Sequence, residues 1–154
     1  MSSHSARIEW KRTTPDFANP TYDRSYRVSF DDGITVPGTA ARANIPPTAP
    51  QTSGVDPEQA FVASLSSCHM LWFLYLACEK KFIVDRYTDE AIGVLEKNRD
   101  GRMAMTRVTL RPLVTFGGDR PPTREQLQEL HEKAHLRCFI ANSVLTEVRW
   151  EPVV

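Results

Sequence analysis

Pro57-Glu58-Gln59-Ala60-Phe61-Val62-Ala63-Ser64-Leu65-Ser66-Ser67-Cys68-His69-Met70 decides how this chain is read. Asp56 just before it is a good N-cap, Pro57 suits the first helical position, and Glu58 lies at the positive end of the helix dipole. The run continues through the apolar stretch Met70 to Cys78 and returns to solvent at Glu79-Lys80-Lys81, which predicts one long helix ending near Lys81. No formal charge occurs between Ala60 and Cys78, a length near the ~20 residues that span a bilayer. Ser64, Ser66, Ser67, Cys68 and His69 stand at its centre, where lipid would penalise them most. The expectation is therefore a fully buried central helix of a soluble domain, with no membrane partner.

Outward from this helix the pattern changes period. Arg7 to Lys11 and Ser25 to Phe30 alternate polar and apolar residues, as half-buried strands do. Asp31-Asp32-Gly33 signals a hairpin, with Ile34-Thr35-Val36 returning. Residues 43–54 carry Pro46, Pro47 and Pro50 and read as a surface loop. After the helix, Asp85 to Glu96 opens a second hairpin that turns at Asn98-Arg99-Asp100-Gly101, and Arg102 to Phe116 alternates again, with Pro112 suggesting an edge or a bulge. Thr123-Arg124-Glu125-Gln126 forms a capping box in front of a second helix, which carries Leu127, Leu130, Ala134 and Cys138 along one face. A last strand is expected over Val144 to Trp150. Strands, long helix, strands, helix, strand predict an α+β fold, and 154 residues fit one domain, 1–154, with a core of its own.

Composition narrows the function classes. Charged residues are 25% and apolar residues 41% of the chain, as in soluble globular proteins, and the formal net charge is zero. No basic field exists to draw in nucleic acid, and weak self-repulsion is compatible with oligomers. The first residues, Met1 to Arg7, carry no apolar core of a secretory signal. Three cysteines are too few, and odd in number, for a secreted disulfide scaffold. A reducing cytoplasm is the expected location.

Cys68 lies inside the first helix and Cys138 follows the second, in Ala134-His135-Leu136-Arg137-Cys138. A lone buried cysteine is usually a small apolar filler, and Cys78, within its apolar run, reads as core. Asp56-Pro57-Glu58-x9-Cys68, followed by Ala134-His135-x2-Cys138 and a short strand, resembles the OsmC/Ohr family of thiol peroxidases over nearly the whole element order. The resemblance implies antiparallel sheets packed on the long helix and an intertwined homodimer with its sites at the subunit interface. It implies reduction of organic hydroperoxides, with Cys68 as the peroxidatic thiolate, Cys138 as the resolving thiol, a cellular dithiol as reductant, and no metal or organic cofactor. His69, Phe139 and Leu136 stand where many relatives have Phe, Pro and Glu, placing the chain in an outlying subfamily.

The residues carry part of this chemistry themselves. A thiol with an ordinary pKa of about 8.5 is mostly protonated at neutral pH, and a neighbouring arginine favours the thiolate. Glu58, ten positions before Cys68, lies about 15 Å away along a helix axis, too far to touch the sulfur but able to orient an arginine through paired hydrogen bonds. Arg24, in Tyr22-Asp23-Arg24-Ser25-Tyr26, is the preferred arginine, and Arg42 is the alternative. The apolar residues Phe61, Met70, Trp72 and Phe73 favour an organic peroxide over hydrogen peroxide. Two other classes stay open: a non-catalytic dimer of the same fold that binds a small apolar ligand, and a metal-binding domain through His131, His135 and Cys138, whose spacings of four and three share a helical face. His69 points about 100° away from Cys68 around the helix and cannot act as its base, so it reads as a lining residue.

Overall fold

A computed structural model describes residues 1–153. The chain divides into two compact units, Met1–Ala60 and Phe61–Val154, and the division falls in the first turn of the long helix. In the first unit, β1 (Arg7–Glu9), β2 (Tyr26–Ser29) and β3 (Thr35–Gly38) form an antiparallel sheet in that order. The hairpin between β2 and β3 closes where expected. Phe30 N–H donates to Ile34 O, Gly33 N–H donates to Phe30 O, and Gly33 takes the left-handed φ of 76° that glycine adopts without a Cβ clash. Residues 39–54 contain only a short 3-10 turn at Arg42–Asn44, as expected of a proline-rich loop.

Helix α1 (Pro57–Glu79) starts at Asp56 with a reciprocal cap. Gln59 N–H donates to Asp56 Oδ1 at 2.7 Å, while Asp56 N–H donates to Gln59 Oε1 at 3.2 Å. The sequence reading names Asp56 but not its partner, three residues on, which completes a capping box. Asp56→Ala should therefore cost about 1 kcal/mol of stability, read from the midpoint of urea unfolding. The helix ends two residues before the expected Lys81. Lys81 itself takes a left-handed φ of 63°, with Lys81 N–H donating to Cys78 O and Phe82 N–H to Ala77 O, a Schellman stop built without glycine.

The second unit places α1 on two small sheets and a second helix. β4 (Ile83–Asp89) pairs antiparallel with β7 (Pro112–Gly117), and β5 (Ile92–Lys97) pairs antiparallel with β6 (Met103–Leu110) through the turn at Asn98, where Gly101 has φ 75°. The single run read over 85–96 is thus two strands, interrupted at Glu90-Ala91, and they belong to different sheets. Pro112 makes the same break on the other side: without an amide hydrogen it cannot continue the ladder of β6 and instead opens β7. β8 (Glu147–Trp150) adds to β6 in parallel, so one ladder departs from the antiparallel pattern expected throughout. Helix α2 (Arg124–Arg137) begins with the predicted capping box, Thr123 N–H donating to Gln126 Oε1 at 2.9 Å and Gln126 N–H to Thr123 Oγ1 at 3.3 Å.

Two apolar clusters hold α1. Leu65 packs with Val108 and Leu110, against Val148 and Trp150, so the first half of the helix lies on the β5-β6-β8 sheet. Phe73, Leu76 and Ala77 pack with Leu130 and Ala134 of α2 and with Val84, Tyr87, Val114 and Phe116 of the β4-β7 sheet. Gly93 lets β5 come close: a Cβ there would stand 2.6 Å from Val62 Cγ2 and 2.3 Å from Met105 Cε. The helix is not buried all round, as the sequence suggested. One stripe, Leu65, His69, Phe73, Leu76 and Ala77, is covered, while Leu71 stays 63% and Tyr75 52% exposed. By length and composition α1 could cross a membrane, but that buried stripe belongs to the core just described. The serines of the helix are satisfied: Ser64 Oγ donates to Phe61 O and Ser67 Oγ to Ala63 O within the helix, and Ser66 Oγ donates to Asp89 Oδ2 of β4 at 2.5 Å.

Candidate active site

Cys68 sits at the edge of the buried stripe of α1, half-exposed. Cys138 is the C-cap of α2 and is buried, with 1% of its surface exposed. The fold brings these distant positions close enough for the Cys68 sulfur to act on the Cys138 thiol. Cys138 Sγ also accepts a hydrogen bond from Ala141 N–H at 3.3 Å. Burial, and then the neighbouring Cys68 sulfur, push the Cys138 thiol up to about 11, so at neutral pH it keeps its proton. Cys78, expected in the core, is instead exposed. Its position on α1, ten beyond Cys68, falls outside the covered stripe. A helix that is apolar on every side carries no periodic signal of which face will be covered.

Beside the thiols, His69 and His131 make a buried pair. His69 Nε2 and His131 Nδ1 are 3.0 Å apart, their rings nearly parallel at 9°, and both side chains are essentially inaccessible. Trp150 of β8 lies over His69 and against His135 at ring distances of 6.4 and 4.8 Å, and Phe73 stacks on His131 at 4.5 Å. Desolvation, followed by the nearby imidazoles, lowers His69 to about 3, and desolvation lowers His131 to about 4. Both rings are therefore neutral at physiological pH. The sequence reading treats His69 as a lining residue and gives His131 a metal only as an alternative, and it does not pair the two. The available signal is a histidine in an uncharged helical run, which needs a partner once buried. As for the metal reading, His131 Nδ1 is engaged by His69, and among the described residues no three His, Cys, Asp or Glu side chains gather into a ligand set.

Glu58 and the arginines are placed differently from the expectation. Glu58 Oε2 is buried with no hydrogen-bond partner. Arg24 does not reach it: its guanidinium donates to Tyr22 O at 2.9 Å and to Pro20 O at 2.8 Å, and stacks over the Tyr22 ring at 4.2 Å. Arg42 is exposed, and neither arginine forms an ion pair among the described residues. Two backbone carbonyls and one ring satisfy Arg24 within its own loop, and this local arrangement is invisible to residue spacing.

Comparison with known proteins is consistent with this architecture. A family model described as OsmC-like protein matches residues 50–152. An OsmC-like protein of unknown function from Vibrio cholerae is 45% identical and superposes with a TM-score of 0.96, over 99% of this chain and all of that one. The organic hydroperoxide resistance protein OhrB of Bacillus subtilis shares the fold at 22% identity and TM-score 0.65, over 97% of this chain and 98% of that one. An organic hydroperoxide resistance protein OsmC from Legionella pneumophila shares it at 16% identity and TM-score 0.70, over the whole of both chains. No functionally curated protein matches the chain.

Proposed function

The chain belongs to the OsmC-like protein family, and from that membership we propose that it is a thiol peroxidase, reducing organic hydroperoxides through Cys68 and Cys138. The observation that supports this most is the asymmetry of the thiol pair: two sulfurs close enough to influence each other, one half-buried, the other buried and protonated. Only Cys68 is open to a substrate, and the buried partner is protected from direct oxidation. Two structural relatives of low identity are organic hydroperoxide resistance proteins, which is compatible with the same role here.

In this reading the Cys68 thiolate attacks the distal peroxide oxygen and the O–O bond breaks. The alkoxide leaves as alcohol after taking up a proton, and Cys68 becomes a sulfenic acid. The Cys138 sulfur then attacks the Cys68 sulfur, forming the disulfide. The departing hydroxide takes the Cys138 proton and leaves as water. A cellular dithiol gives up two hydrogens to restore both thiols. Glu58, with its buried and unpaired carboxylate oxygen, is assigned to hold an arginine near Cys68, because a buried carboxylate needs a donor. Arg24 remains the preferred arginine over Arg42, and would have to leave its loop carbonyls to serve. The exposed Leu71 and Tyr75 on α1 suit burial in a homodimer. A reducing cytoplasm suits the cycle, and the chain acts as one functional domain.

Cys138→Ser tests the resolving role. After one equivalent of cumene hydroperoxide, the variant should hold one added oxygen at Cys68, seen by intact mass and trapped by dimedone, and should turn over no further without added thiol. Continued turnover at the wild-type rate with the cellular dithiol would remove Cys138 from the cycle.

A further inference from the structure

We propose that the His69–His131 hydrogen bond positions the thiol pair, by locking α2 against α1 in the register that presents Cys138 to Cys68. The inference deepens the peroxidase reading and rests on it for its biological meaning.

The placement of the four residues carries the argument. His69 directly follows Cys68 on α1, and His131 stands seven positions, two helical turns, before Cys138 on the same face of α2. Each histidine thus reports the position of the cysteine on its own helix, and a 3.0 Å bond joins them. The other contacts between the helices fix register less sharply: Phe73 stacks on the His131 ring, and the exposed Arg137 guanidinium lies 5.5 Å over the Trp72 ring. Phe73, Leu76 and Ala77 against Leu130 and Ala134 are apolar and non-directional. Lys80–Glu129 is an ion pair exposed to solvent, of a kind that constrains little. A helix can slide or roll on such contacts, whereas a hydrogen bond weakens steeply beyond about 3.5 Å. A disulfide has its own narrow tolerance, with Cα atoms about 4.4–6.8 Å apart. The buried hydrogen bond between α1 and α2 therefore sits where register matters most.

The pair is also a poor device for stability alone. A neutral imidazole offers one donor and one acceptor, so whichever tautomers form the bond, one buried N–H and one lone pair are left over. His69 Nδ1 and His131 Nε2 are indeed without partners. Two apolar side chains of similar volume would fill the space without that cost. What they would not supply is direction.

The test compares the wild type with His69→Leu/His131→Leu and with His69→Gln/His131→Asn. In the amide pair, Gln Nε2 and Asn Oδ1 stand where the bonded ring nitrogens stand. Each protein is equilibrated, without peroxide, against reduced and oxidised glutathione. Closing the bond takes two protein thiols and one oxidised glutathione to a protein disulfide and two reduced glutathiones. The Cys68–Cys138 disulfide is quantified by alkylation and peptide mass. The leucine pair should keep its Tm within about 3 °C yet lose at least about tenfold in the equilibrium constant for closure, equivalent to about 30 mV. The amide pair should stay close to the wild type. If the leucine pair does not fold, His131→Ala alone takes its place in the comparison. Closure of the leucine pair at the wild-type constant would overturn the proposal, and so would a tenfold loss in a natively folded amide pair. A wild type that closes with glutathione but turns over no hydroperoxide would remove the peroxidase reading and leave the positioning result intact.

Discussion

Cys68→Ser should lower kcat/KM for cumene hydroperoxide about a thousandfold or more, to the level of buffer with dithiothreitol alone. The reason is the nucleophile. A thiolate is accessible near neutral pH, whereas a serine alkoxide is not, and a hydroxyl has no counterpart of the sulfenic acid that the cycle passes through. The substitution removes little else: Cys68 is half-buried at the edge of the α1 stripe, so the variant should fold as the wild type does. Cys78→Ser is the control. That thiol is exposed and outside the proposed cycle, and its loss should leave turnover unchanged. Consumption of hydroperoxide, followed with each variant at equal concentration, makes the comparison. Full activity in Cys68→Ser would end the peroxidase reading.

The second large effect is on stability in acid. The folded-state values of His69 and His131 lie below the ordinary value of 6.5, at about 3 and about 4. The unfolded chain therefore binds protons that the native pair refuses, and stability falls as pH falls. Above about pH 7.5 both states are essentially neutral and the pair adds no pH dependence. Below it the loss grows until pH reaches the folded values, after which native and unfolded states protonate alike. Between pH 6.5 and pH 5 the two rings should together cost roughly 3 kcal/mol. The ionisable groups bearing on His69 are His131 and His135 of α2, with no carboxylate among them to offset the loss. His135 is itself lowered by desolvation and adds in the same direction. Urea unfolding at pH 6.5 and pH 5 reads the effect directly, and His69→Leu/His131→Leu should remove most of the slope. An equal slope in that variant would assign the acid sensitivity to other groups.

What could be read in the sequence was local. The Asp56 and Thr123 caps, the turns at Gly33 and Gly101, and the break at Pro112 each depend on a few adjacent residues, and each forms where the residue types require it. Pairing partners were less legible. Nothing between Asp85 and Glu96 states that β4 will join β7 while β5 joins β6, nor that β8 will add to β6 in parallel. These choices depend on contacts far apart in the chain. The covered side of α1 was hidden for a related reason: with apolar residues on every face, Cys78 and Leu71 look as buried as Phe73. At the proposed site, the cysteines stood out because their chemistry is rare and their setting familiar. The histidine pair was not, because His69 and His131 become partners only when α1 and α2 dock. Arg24 shows the opposite limit: residue spacing does not reveal that its guanidinium bonds the carbonyls of its own loop.

The central claim is that Cys68 and Cys138 form one redox site, and the most direct measurement is intact mass with thiol counting before and after one equivalent of an organic hydroperoxide. The account predicts the loss of two hydrogens and two free thiols, mapped to Cys68 and Cys138, with Cys78 still free. Three free thiols after that treatment would contradict it, and would move the alternative of a non-catalytic dimer that binds a small apolar ligand to the front.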